Sequence, residues 1–106
     1  MRKISKQYRQ GDVLLTPAEI PASAKPSKEK ERIILAEGEA TGHCHAIDFN
    51  PKQMDVFADG PQLYLRVNEP VSLTHQEHAA AVVEPGDYVV VRQVEVWLDE
   101  VRQVAD

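Results

Sequence analysis

Apolar residues in this chain come in short runs punctuated by glycine, proline and aspartate, and no long window repeats at the helical spacing of about 3.6 residues. The turn signal Gln10-Gly11-Asp12 precedes Val13-Leu14-Leu15-Thr16, and Pro17 follows, which predicts a first strand. Pro17 to Arg32 is rich in Pro, Ala, Ser, Lys and Glu and reads as an exposed, mobile loop at about 17–32. Ile33-Ile34-Leu35-Ala36 resumes an apolar strand that ends at Glu37-Gly38-Glu39, and the next strand should begin near Gly42. Further on, Leu63, Leu65 and Val67 alternate with Tyr64, Arg66 and Asn68; after Pro70, Val71, Leu73 and His75 alternate with Ser72, Thr74 and Gln76. The two pieces predict an antiparallel pair or one bent strand. Glu84-Pro85-Gly86-Asp87 is a turn leading into the longest strand candidate, Tyr88 to Leu98, whose valine run predicts burial on both faces. Asp99 to Asp106 is expected to form a short helical turn capped by Asp99. The whole pattern predicts an all-β fold: one domain over residues 1–106, a small barrel or sandwich of six to seven short strands.

At 106 residues the chain has apolar surface for one core, and 42% hydrophobic with 27% charged residues excludes a disordered or fibrous chain. No apolar run reaches the roughly 18 residues of a membrane-spanning helix. The polar start, Met1 to Tyr8, lacks an apolar signal core, and the single cysteine, Cys44, makes no internal disulfide; together they predict a cytoplasmic protein. Residues 1–32 hold eight Lys/Arg against four Asp/Glu, a net +4, which leaves the rest of the chain at −9. An acidic body without aromatics interleaved among the basic residues argues against nucleic-acid binding, and the basic segment reads as a solvated loop.

All four histidines fall in two tight pairs, Gly42-His43-Cys44-His45 and Thr74-His75-Gln76-Glu77-His78. In a strand, side chains repeat with period two, so His43 and His45 share a face with Ile47 and Phe49, and His75 ends the row begun by Val71 and Leu73. Two inward rows ending in imidazole can meet at one site. Neutral imidazoles are good ligands for zinc, iron, manganese or nickel, which predicts a divalent transition metal held by His43, His45, His75 and His78. A histidine-rich site leaves room for water or substrate, so the metal site can serve catalysis, with Glu77 and Asp48 as the carboxylates that would move protons. Cys44 alternates away from its neighbouring histidines and reads as a small packing residue.

Gly38-Glu39-Ala40-Thr41-Gly42-His43-Cys44-His45, Thr74-His75-Gln76-Glu77-His78 and Pro85-Gly86-Asp87-Tyr88 occur in an order that resembles a family of short uncharacterised bacterial and phage proteins. The His-x-His after a glycine also resembles the first motif of the cupins, small β-barrels, and that likeness would place metal on His43 and His45. The chain departs from the cupin pattern in having Phe49 and Asn50 where a glutamate follows, and in placing His75 and His78 before Pro85-Gly86. Two functions from different classes follow. One is a metal-binding small β-barrel protein, extending to a metalloenzyme acting on a small molecule. The other is a non-enzymatic interaction or accessory module, phage or operon-encoded, in which the histidines are a structural cluster and the loop at 17–32 contacts a protein partner. Pairing of the Tyr88 to Leu98 strand between subunits would give a homodimer.

Overall fold

The computed structural model describes residues 6–37, 44–92, 94–97 and 100–103. Strand formation follows the two-residue alternation. In β7 (Gln62–Val67) Leu65 and Val67 are buried while Arg66 is exposed, and in β8 (Val71–Thr74) Val71 and Leu73 are buried while Ser72 is exposed. Each such leucine or valine removed from water contributes about 1.5–3 kcal/mol, which fixes the register because a one-residue slip would turn the row outward. The other elements are β1 (Tyr8–Gln10), β2 (Val13–Pro17), β3 (Lys25–Pro26), β4 (Arg32–Glu37), β5 (Cys44–Asp48), β6 (Met54–Asp59), β9 (Ala81–Val83), β10 (Gly86–Arg92), β11 (Val94–Trp97) and β12 (Glu100–Gln103).

Ten of these strands form two antiparallel sheets, one of six in the order β1-β2-β10-β7-β6-β3 and one of four in the order β4-β5-β8-β9, and β11 pairs with β12 alone. Their inward rows meet in one core, in which Val13, Leu15, Leu65, Val67 and Val90 of the first sheet pack with Ile33, Leu35, Ile47, Leu73 and Val83 of the second. Neither sheet closes on itself among the described residues, so the barrel alternative gives way to two layers. The described strands outnumber the six or seven expected, because turns cut several apolar runs into shorter pieces.

Three expectations are corrected. Strands β7 and β8 neither pair with each other nor form one bent strand: β7 lies between β6 and β10, and β8 between β5 and β9, so the chain crosses from one sheet to the other at Asn68-Glu69-Pro70. Of the long run from Tyr88, β10 takes the part up to Arg92 and β11 takes Val94–Trp97, with Gln93 and Leu98 outside the described residues, and burial on both faces is not found in β10. Strand β10 ends at Arg92, both of its edges are taken by β2 and β7, and only one face is buried, with Val91 left 37% exposed. The C-terminal helical turn is absent among the described residues, where β11 and β12 form a separate antiparallel hairpin instead. Asp99 lies outside the described residues. The segment from Pro17 to Arg32 passes along the edge of the six-stranded sheet, where β3 pairs with β6 and Ser27 N–H donates to Val56 O at 2.8 Å.

Where β1 approaches β9, two tyrosines clasp the Glu84 turn. The Tyr88 hydroxyl donates to Glu84 O at 2.6 Å, the Tyr8 hydroxyl accepts from Glu84 N–H at 3.1 Å, and the rings meet edge to face at 5.9 Å. Gly86 sits at φ +154°, and a Cβ there would lie 3.2 Å from the Tyr88 hydroxyl, so the turn needs glycine. Burial first, then the neighbouring Tyr8, pushes the Tyr88 hydroxyl up to about 12. A raised pKa in the folded state stabilises the fold below the unfolded value near 10, and that contribution is lost as pH rises through 12. Tyr88→Phe is therefore expected to lower stability by about 1–2 kcal/mol at neutral pH. Urea melts should show that deficit shrinking between pH 10 and 12; a deficit constant with pH would contradict the assignment.

Candidate functional site

The site lies where the β1–β2 turn of one sheet meets the start of β5 and the β8–β9 loop of the other. A register shift between Ile34 and Ala36 places the extra residue Leu35 in β4 and sets Ala36 opposite His45. Such a bulge lets Leu35 and Ala36 both be buried, against strict alternation, and holds β5 against the core. His45 then projects inward with Ile47 and Phe49, as the parity of the sequence requires, and its ring is fully buried. His75, just past β8, is also buried, and His78 is half-buried in the loop that follows.

The three imidazoles converge. Ring centroids are 4.3 Å apart for His45 and His75, 4.5 Å for His75 and His78, and 5.6 Å for His45 and His78. One ring nitrogen from each lies within 4.8 Å of the others. His43 lies outside the described residues.

Hydrogen bonds fix the chemistry of two rings. The Gln10 amide nitrogen donates to Leu73 O and Ala79 O, each at 2.9 Å, so its oxygen must be the atom facing His45 Nδ1 at 2.9 Å. An amide oxygen only accepts, so His45 carries a proton on Nδ1, and a neutral His45 ring presents its lone pair on Nε2. Asp12 Oδ1 stands 3.6 Å from that Nε2, and the two side chains are 16% and 1% exposed. His75 Nδ1 accepts the Glu77 backbone N–H at 3.0 Å, so a neutral His75 ring carries its proton on Nε2.

Of the two candidate carboxylates, one stands away from the cluster and one beside it. Asp48 is an odd number of residues from His45 and faces outward, where it is paired with Arg32 at 2.9 Å. Glu77 is exposed beside the cluster and touches it through its backbone N–H. Cys44 faces outward as its parity predicts, with Arg32 donating to its Sγ at 3.9 Å. The Arg32 guanidinium is held above its ordinary range by Cys44 first and by Asp48 next. Two surface clefts of about 280 and 270 Å³ lie beside Met54 and Phe57 and beside Arg32 and Ile34, and no histidine lines either.

Gln10 and Asp12 are the participants that sequence reasoning passed over. Gly-Asp after a polar residue reads as an ordinary turn, and only the approach of β1 to β9 brings it to the histidines. Gly11 at φ 59° makes that turn, returning the chain so that Gln10 and Asp12 both reach His45.

Two sheets around one core, with three imidazoles from the four-stranded sheet and its β8–β9 loop facing the β1–β2 turn of the other, define a small all-β protein with a polar histidine cluster at the junction. The chain belongs to the family described as a domain of unknown function, DUF8820, whose model matches residues 9–93. The match takes in β2 through β10 and every member of the cluster, and stops short of the β11–β12 hairpin. No curated protein and no solved structure matches the chain.

Proposed function

We propose that the protein binds a divalent transition metal through His45, His75 and His78. The observation that carries this reading is the convergence of three imidazole nitrogens to within 4.8 Å, from two segments about thirty positions apart in sequence. Gathering imidazoles in a largely buried place costs free energy unless something shared compensates, and a cation does so. Zinc, iron, manganese and nickel all take such nitrogen donors. Bonds of about 2.0–2.1 Å set neighbouring donors about 3.4 Å apart around a tetrahedral ion, so donors now within 4.8 Å of one another close in by at most about 1.4 Å. His78, half-buried on a loop, is the ring with room to move. His75 exchanges its hydrogen bond from Glu77 N–H for the metal, whichever ring nitrogen it uses.

Three histidines leave a coordination position for water or substrate, the arrangement that suits Lewis-acid chemistry. For such an enzyme the exposed Glu77, next to His78 in the loop, remains a candidate carboxylate for proton movement. Asp48, tied to Arg32 on the outer surface, has no part in it.

The Glu77–His75 bond also favours a second reading, in which the histidines are a hydrogen-bonded structural cluster in an interaction module. Metal analysis separates the two. Untagged protein, purified without chelator and titrated with Zn(II) and Co(II), is expected to take up about one equivalent. Less than about a tenth of an equivalent with no titratable affinity would leave only the structural reading.

A further inference from the structure

We infer that Asp12 is a fourth protein ligand of this metal, so that the ion joins the six-stranded sheet to the four-stranded one. The inference rests on the metal reading of the histidine cluster and extends it to a residue on the β1–β2 turn. Gln10, held by two backbone carbonyls, places a proton on His45 Nδ1, so the atom that a neutral His45 turns toward Asp12 is a lone-pair nitrogen. The Asp12 Oδ1 opposite it at 3.6 Å is likewise an acceptor. A buried imidazole nitrogen and a buried carboxylate oxygen this close can share one cation, and a metal ion can stand where a proton on Nε2 would otherwise make the ion pair.

The spacing to His45 suits that role, and binding would draw Asp12 together with His75 and His78 around the ion. With metal–donor bonds of about 2.0–2.2 Å, an edge of 3.6 Å subtends an angle of roughly 120°, within the range of distorted four-coordinate or five-coordinate sites. The carboxylate also brings negative charge to a donor set that would otherwise be neutral. Three nitrogens and a carboxylate oxygen, with the Cys44 thiol facing the outer surface, suit Zn(II), Fe(II) or Mn(II) over thiophilic ions. The Gly11 turn aims Asp12 at the site, and His45, His75 and His78 belong to the opposite sheet and its loop, so bound metal ties the two layers together.

Full-length untagged protein, wild type and Asp12→Asn, should be titrated with Zn(II) by calorimetry and with Co(II) by visible absorption. The variant is expected to bind at least 10-fold more weakly, with an altered Co(II) ligand-field spectrum and a smaller rise in Tm on loading. Asp12→Cys gives a positive readout that does not depend on Asp12→Asn folding well. A thiolate-to-cobalt charge-transfer band, absent from wild type, appears only where position 12 reaches the ion. Wild-type uptake, with unchanged affinity in Asp12→Asn and no new band in Asp12→Cys, would overturn the role of Asp12 and leave the histidine site standing. Absence of uptake by the wild type would remove both.

Discussion

His45→Ala is expected to abolish metal binding and to lower the stability of the metal-free fold by about 3–4 kcal/mol, or roughly 15–25 °C in Tm. The His45 ring is completely buried and stands among the largest such side chains in the core. Truncation opens a cavity against His75 and His78, and it also removes the donor that satisfies the Gln10 oxygen at 2.9 Å. The two penalties arise from different physics, and His45→Leu separates them: it refills most of the volume and recovers part of the stability, yet offers no ligand. Chemical denaturation of the metal-free proteins measures the first effect and Zn(II) titration the second. Wild-type affinity in His45→Ala would place any metal elsewhere, and a Tm within a few degrees of wild type would mean that the surroundings collapse into the vacated space.

Much of this site was legible because strands impose parity. With His45, Ile47 and Phe49 on one face, all three are buried, and with Val71, Leu73 and His75 on another, those three are buried as well. The same rule, followed through, sets Asp48 on the outer face with Cys44, and the Arg32–Asp48 pair is where the rule leads. Period two says nothing about which strands neighbour each other. The crossing at Asn68-Glu69-Pro70 looks in sequence like a turn within one sheet, because a proline ends pairing equally well in a hairpin and in a change of layer. The valines of β10 predict burial on both faces only if a second layer covers the sheet from outside; among the described residues that layer is lacking, and Val91 stays 37% exposed. Gln10 and Asp12 were hidden for a related reason. They acquire their meaning from partners 35 or more positions away, Leu73, Ala79 and His45 for Gln10 and, at about the same range, His45 for Asp12. Local pattern cannot carry such information.

Gln10→Leu is expected to lower stability by about 3 kcal/mol and to weaken metal binding about 10- to 100-fold, although Gln10 would touch no metal. Its buried side chain, 4% exposed, makes three hydrogen bonds, joining β1 to the end of β8, to the β8–β9 loop and to His45. Leucine matches the volume closely but leaves two carbonyls and an imidazole N–H to find other partners in a place short of water, so the loss is set by desolvation more than by packing. The effect on metal follows from the tautomer. Without the Gln10 oxygen to hold the proton on Nδ1, His45 divides between tautomers and orientations, and Nε2 is no longer committed as the ligand atom. Nitrogen-15 NMR of the metal-free wild type should show His45 protonated on Nδ1, and Gln10→Leu should show a mixture. A purely structural Gln10 would lower Tm alone, with the tautomer and the affinity of the folded fraction unchanged. The combined loss is what distinguishes a residue that prepares a ligand from one that only fills the core.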